Sequence, residues 1–117
     1  GQDFFNTEVQ YQKRINLFLS YGKKGKDDVI HAGSDAYGEI KNTNVASKTK
    51  LFKIILATKM SYEEANGFLN YFGYCFSRKG VNEIDDGIRY LIDHKQFDIV
   101  SAELQFANCA NSIFNTK

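Results

Sequence analysis

In the stretch Lys23–Met60, KKGKDDVIHAGSDAYGEIKNTNVASKTKLFKIILATKM, apolar spacing, turn chemistry and positive charge coincide. Asp27 or Asp28 sits where an acid favours the start of a helix, and Val29 and Ile30 supply that helix with a buried face. Gly33-Ser34 reads as a sharp break, because glycine tolerates the left-handed backbone that a turn between helices requires. Ser34 or Asp35 then caps a further short helix, with Ala36, Tyr37 and Ile40 inward and Gly38, Glu39, Lys41 and Asn42 outward. Asn42-Thr-Asn44 is a polar stop. Ser47 opens a longer helix in which Leu51, Ile54, Ile55 and Thr58 keep the 3.6-residue period and Lys48, Lys50 and Lys53 occupy the opening turns.

Upstream of this stretch, Thr7 and Gln10 have capping-box spacing, and Val9, Ile15, Phe18 and Leu19 form the apolar stripe of a helix ending near Tyr21-Gly22. Downstream, Ser61 with Glu64 is a second capping box, opening a helix that runs through Phe72 and ends at Gly73. The segment Phe68–Phe76 is rich in rings: Phe68, Phe72, Tyr71, Tyr74 and Phe76. It reads as core, with a homodimer or partner surface as the alternative. Ser77-Arg-Lys-Gly80 is the clearest internal break. Asn82 then caps a helix carrying Ile84, Ile88, Leu91 and Ile92 to about His94. Asp98 caps a last helix with Val100, Leu104 and Phe106 inward, and the polar end from Asn108 to Lys117 is expected to fray. The expected fold is therefore all-α, a compact bundle of about six to seven short helices. Residues 1–78 form its core, and residues 79–117 form a helical extension packed on the same domain.

At 117 residues, with 43% apolar and 25% charged side chains and no Pro, the chain has the composition of one globular, helix-rich domain. Cys75 and Cys109 fall among apolar neighbours and are expected to be reduced and buried, as in a cytoplasmic protein. No apolar run approaches the about 18 residues that span a bilayer, and no signal peptide is visible, so no membrane partner is expected. The chain begins Gly1-Gln2, which we read as a cleavage scar on part of something longer. Net charge is +1, but it is unevenly spread. Residues 1–60 hold ten Lys/Arg against six acids and residues 61–117 five against eight, a polarity that suits a polyanion on one face.

Catalytic chemistry fails on inventory. His31 and His94 stand far apart on separate predicted helices, and with the two cysteines they make neither metal-ligand spacing nor a nucleophile–base pair. The adjacent acids Asp27-Asp28, Glu63-Glu64 and Asp85-Asp86 lie at helix starts, where the dipole accounts for them. No glycine loop suits a phosphate. We therefore expect no enzyme, no metal and no cofactor.

The order of short helix, tight turn, short helix, polar loop and longer helix is that of a helix-turn-helix unit. The stretch VIHAGSDAYGEIKNTN, followed by SKTKLFKIILATKMSYEEANGFL, resembles the lambda-repressor-like helix-turn-helix domain. Val29 and Ile30 match the apolar pair of the scaffold helix, Gly33 the turn glycine (one place early) and Ile40 the anchor of the recognition helix. Ser61 to Leu69 matches the segment that follows in that family. The tail IRYLIDHKQFDIVSAEL is more faintly similar to a helical extension found after such modules in some bacterial multidomain proteins. The resemblance implies double-stranded DNA as partner, in a transcriptional regulator or the DNA-binding part of a larger bacterial or phage protein. Residues Asp35–Asn42 would enter the major groove, with Ser34, Tyr37, Lys41, Asn42 and Asn44 near bases or phosphates and Lys26, Lys48 and Lys50 on the backbone.

That helix has Asp35, Gly38 and Glu39 and no Arg, so it lacks the bidentate guanine readers that commonly give specificity. The alternative is a helical interaction domain of a multidomain protein, an adaptor with the same architecture whose surface serves protein. A charge map separates the two readings. Lys26, Lys41, Lys48 and Lys50 converging on one flat face favours DNA, and their scattering favours protein.

Overall fold

The computed structural model describes residues 28–98. Among them the chain is all-helical, with four helices and no strand: α1 (Asp28–Thr43), α2 (Lys48–Ala57), α3 (Tyr62–Tyr71) and α4 (Glu83–Asp93). The expected first helix, Lys26, Cys109 and the helix after Asp98 lie outside the described residues. None of the described helices is long and apolar enough to cross a membrane.

Helix α2 is the spine. Leu51, Phe52, Ile54, Ile55, Leu56 and Ala57 are all buried, so apolar side chains cover more of its circumference than the single stripe read from the sequence. Helix α1 packs along it, and α3 and α4 pack on it and on each other. Val29, Ala36 and Ile40 from α1, Ala65, Phe68 and Leu69 from α3 and Ile88, Leu91 and Ile92 from α4 complete one continuous core with the α2 residues. Each large apolar side chain withdrawn from water contributes about 1.5–3 kcal/mol, so this shared core outweighs local preferences at single positions.

One such preference is overruled at Gly33-Ser34. The expected break there does not form, and α1 runs unbroken for 16 residues. The reason lies in the phase of its apolar positions. Val29, Gly33, Ala36 and Ile40 are buried, and Ala32 and Tyr37 pack against the same core. These positions follow a single 3.6-residue stripe through residue 33, and a turn at that point would throw one half off α2. A glycine inside a helix costs only about 1 kcal/mol, less than losing either half of the stripe.

Helix ends follow local chemistry. The Ser47 hydroxyl caps α2 by accepting from Lys50 N at 3.2 Å. Ser61 and Glu64 form the expected capping box of α3, and Asn82 Oδ1 caps α4 by accepting from Ile84 and Asp85 N. Helix α1 stops after Thr43, where Asn44 takes a left-handed φ of 59° and its N–H returns to Ile40 O at 2.7 Å. Helix α3 stops at Gly73, φ 86°, as expected. Past Gly73 the backbone is non-helical, and Tyr74 and Phe76 pack on the core while Cys75 points outward. Cys75 is therefore exposed, against the sequence expectation, because its two neighbours take the core-facing positions in this non-helical stretch.

Candidate functional site

The first turn of α4 holds two carboxylates with different tasks. Asp85 is buried, and its Oδ2 accepts from Lys48 Nζ at 2.6 Å and from Ser77 N at 2.7 Å. Asp86 accepts from Gly80 N at 3.0 Å and from the Arg89 guanidinium, which also donates to Ser77 O. The backbone of Ser77 is thus held at both its N–H and its carbonyl. The turn Arg78–Val81 is closed by Val81 N donating to Arg78 O at 3.1 Å, with Gly80 at φ 84° in the third position, which in such turns requires glycine. The acids Asp85-Asp86, which the sequence assigned to the helix dipole, in addition hold this turn in place.

The turn presents Arg78 and Lys79 to water, and neither forms an ion pair among the described residues. Beside them runs a stack of rings. Tyr62 lies 5.2 Å from Phe76, Phe76 lies 5.6 Å from Phe52, and the Arg89 guanidinium sits 5.4 Å from the Phe76 centroid. The buried end of this stack is core. Its outer end, Tyr62, remains 39% exposed. Tyr62, Phe76, Ser77, Arg78, Lys79, Arg89 and Asp93 line an open cleft of about 520 Å³. A second depression contains Lys79, Arg89, Tyr90 and Asp93, and a third contains Tyr62, Ile92, Asp93 and Phe97. Shared walls make the three one continuous face across the start of α3, the turn and the outer side of α4.

The residues expected to touch nucleic acid are arranged differently. Tyr37 packs on the core with Lys41 Nζ 5.4 Å from its ring centroid. Ser34 is half-buried within α1, Asn42 is exposed near its end, and Asn44 forms its stop. Lys48 is bound to Asp85, and Lys50 lies 3.7 Å from Glu39. Two of the ammonium groups assigned to phosphate therefore already face carboxylates. Sequence reading missed Asp85 and Arg89 as partners, since the Lys48–Asp85 contact joins positions 37 residues apart. The signal that was visible, Arg78-Lys79 ahead of a glycine, read only as a break between helices.

Compared with protein-family models, with curated proteins and with solved structures, the chain finds no match.

Proposed function

We propose that this chain is a helical protein-interaction domain, the adaptor-like module of a multidomain protein. Its partner docks on the face formed by Tyr62, the Arg78–Val81 turn and Tyr90. The observation that carries the reading is the pairing of exposed aromatics with cations that form no ion pair among the described residues, on a fixed backbone: Tyr62 and Tyr90 are 39% and 43% exposed, Tyr62 sharing a cleft with Arg78 and Lys79 and Tyr90 a depression with Lys79. Tyrosine and arginine are enriched at protein interfaces because a rigid ring or planar fork covers much area at small entropic cost. Of the Phe68–Phe76 segment, Phe68 belongs to the core and Phe76 supports this face from below.

The DNA-binding reading has less support. Lys48 and Lys50 would have to leave Asp85 and Glu39 to reach a duplex, and Asp35 and Glu39 stand exposed on the same helix as Lys41.

The test replaces Tyr62, and in a separate variant Asn42 on α1, with a photo-crosslinking residue. We expect a discrete protein adduct from position 62 and none from position 42. No adduct from either position, together with salt-sensitive binding of a labelled random duplex, would overturn the reading in favour of DNA.

A further inference from the structure

We propose that the cleft beside the Arg78–Val81 turn takes an acidic peptide segment of the partner, with carboxylates against Arg78 and Lys79 and a ring or aliphatic side chain against Tyr62. This rests on the reading of that face as a protein-docking surface and adds the chemistry of its occupant.

Four observations converge on it. First, the cations differ in availability: Lys48, Lys50 and Arg89 each form an ion pair with a carboxylate, whereas Arg78 and Lys79 form none among the described residues. Second, the turn is pre-organised. Asp85, Asp86 and Arg89 fix Ser77 and Gly80 through their backbone groups, so a ligand need not order the loop to be held. Third, the cleft beside those cations offers about 520 Å³, within the range of ligand-sized clefts. Fourth, Tyr62 is braced from behind by Phe76 and Phe52, which makes it a rigid platform for an apolar side chain.

The same charges favour protein over nucleic acid. Duplex DNA carries a phosphate charge about every 1.7 Å, and affinity grows with the number neutralised. Within the cleft and the depression next to it, Arg78 and Lys79 are the cations without an ion pair among the described residues, and with Asp86 and Asp93 in the same walls they make a short site. A run of phosphates would meet those carboxylates, whereas a segment with two or three acids spaced by uncharged residues would not. Asp93, which lines the same cleft, suits a peptide N–H of the same segment.

The experiment titrates the protein with fluorescein-labelled Glu-Ser-Phe-Ser-Glu and with Gln-Ser-Phe-Ser-Gln, and maps both by amide chemical shifts. The acidic peptide is expected to bind at least about tenfold tighter, a difference of about 1.4 kcal/mol, with the largest shifts at Ser77–Val81 and Tyr62. Arg78→Glu with Lys79→Glu should remove that preference, whereas Lys41→Glu should leave it. Equal affinity for the two peptides overturns the proposal, as does shift mapping to α1, or competition by an equimolar duplex through the same two cations. The mapping uses the unaltered protein, so misfolding of a variant cannot mask the answer. A crosslinked partner at position 62 without preference for the acidic peptide would remove only the acidic chemistry. Absence of any adduct would remove the docking face itself.

Discussion

Helix α1 and the segment from Ser77 to Asp93 are both rich in acids and bases, yet they use them in opposite ways. On α1 the charged groups stay at the surface: His31 and Asp35 stand 4.0 Å apart with both side chains well exposed, and Glu39 reaches Lys50 only at 3.7 Å. Pairs of that kind contribute little, because water screens them and two long side chains must be held still. In the second segment one carboxylate is drawn in and another is spent on the backbone. Asp85 retains 3% side-chain exposure and closes a contact to Lys48, while Asp86 and Arg89 brace the turn. A lysine or an acid therefore has no fixed meaning here. Where a carboxylate is buried, its cation is committed to the fold. Where the backbone is tied by carboxylates beneath it, the cations above face water and form no ion pair among the described residues.

The largest expected effect tests whether α1 is one helix. In the two-helix reading Asp35 is the first residue after a cap at Ser34, a place where proline is welcome. In the continuous helix the residue 35 N–H belongs to the interior of α1, and proline there loses a hydrogen bond and clashes with the carbonyl four residues back. Asp35→Pro should therefore cost about 3 kcal/mol or more, read as lost helicity and an earlier urea midpoint. An unchanged midpoint would restore the break at Gly33.

Next in size is Asp85→Ala. It strands Lys48, whose side chain is 29% exposed, and removes the acceptor of Ser77 N. Breaking a buried ion pair from one side costs about 3–5 kcal/mol, and the partial access of water to Lys48 places this case near the lower end, about 3 kcal/mol. Lys48→Met should cost a comparable amount, because it leaves the Asp85 carboxylate, 3% exposed, with the Ser77 N–H as its remaining partner. A distinctly smaller loss for Lys48→Met would show that the tie to the turn, rather than the ion pair, is what the fold needs.

Much of this architecture could be read in advance wherever the chemistry is local. Ser47, Ser61 with Glu64, Asn82 and Gly73 mark helix ends through contacts spanning two or three residues, and each stands where the sequence placed it. The continuity of α1 could not be read that way. It depends on α2 receiving Val29, Ala36 and Ile40 on one stripe, a tertiary gain set against a local glycine cost. The apolar neighbours of Cys75 suggest burial, whereas in the non-helical stretch after Gly73 it is Tyr74 and Phe76 that take the core and Cys75 that faces outward. At the candidate site, the Arg78-Lys79-Gly80 turn was visible, but the carboxylates holding it and the loss of Lys48 to Asp85 were contacts between separate helices.

A smaller effect, of opposite sign, is expected at Gly38. A Cβ built there meets no atom within 4 Å, and its φ is not left-handed. Gly38→Ala should therefore stabilise α1 by about 0.5–1 kcal/mol through helix propensity alone, seen as a rise in Tm. Because the outer side of α1 is surface in the proposed reading, capture of a partner at position 62 should be unaffected. Loss of that capture would mean that the two faces are coupled.

The smallest effect separates the two kinds of cation most directly. Lys50→Ala removes a 3.7 Å contact to a carboxylate whose side chain is 60% exposed, so stability should move by less than about 0.5 kcal/mol. Arg78→Ala, at an exposed position with no ion pair, should be equally quiet in urea denaturation. The two variants should then part in binding, with Arg78→Ala weakening the acidic peptide and Lys50→Ala leaving it unchanged. Stability cannot tell these residues apart, because neither is built into the core. Only a ligand reports that one cation lies beside an exposed carboxylate while the other stands on a fixed turn. If Lys50→Ala weakened the peptide as much as Arg78→Ala, both cations would serve one broad electrostatic field, and the distinction between committed and available charge would fail.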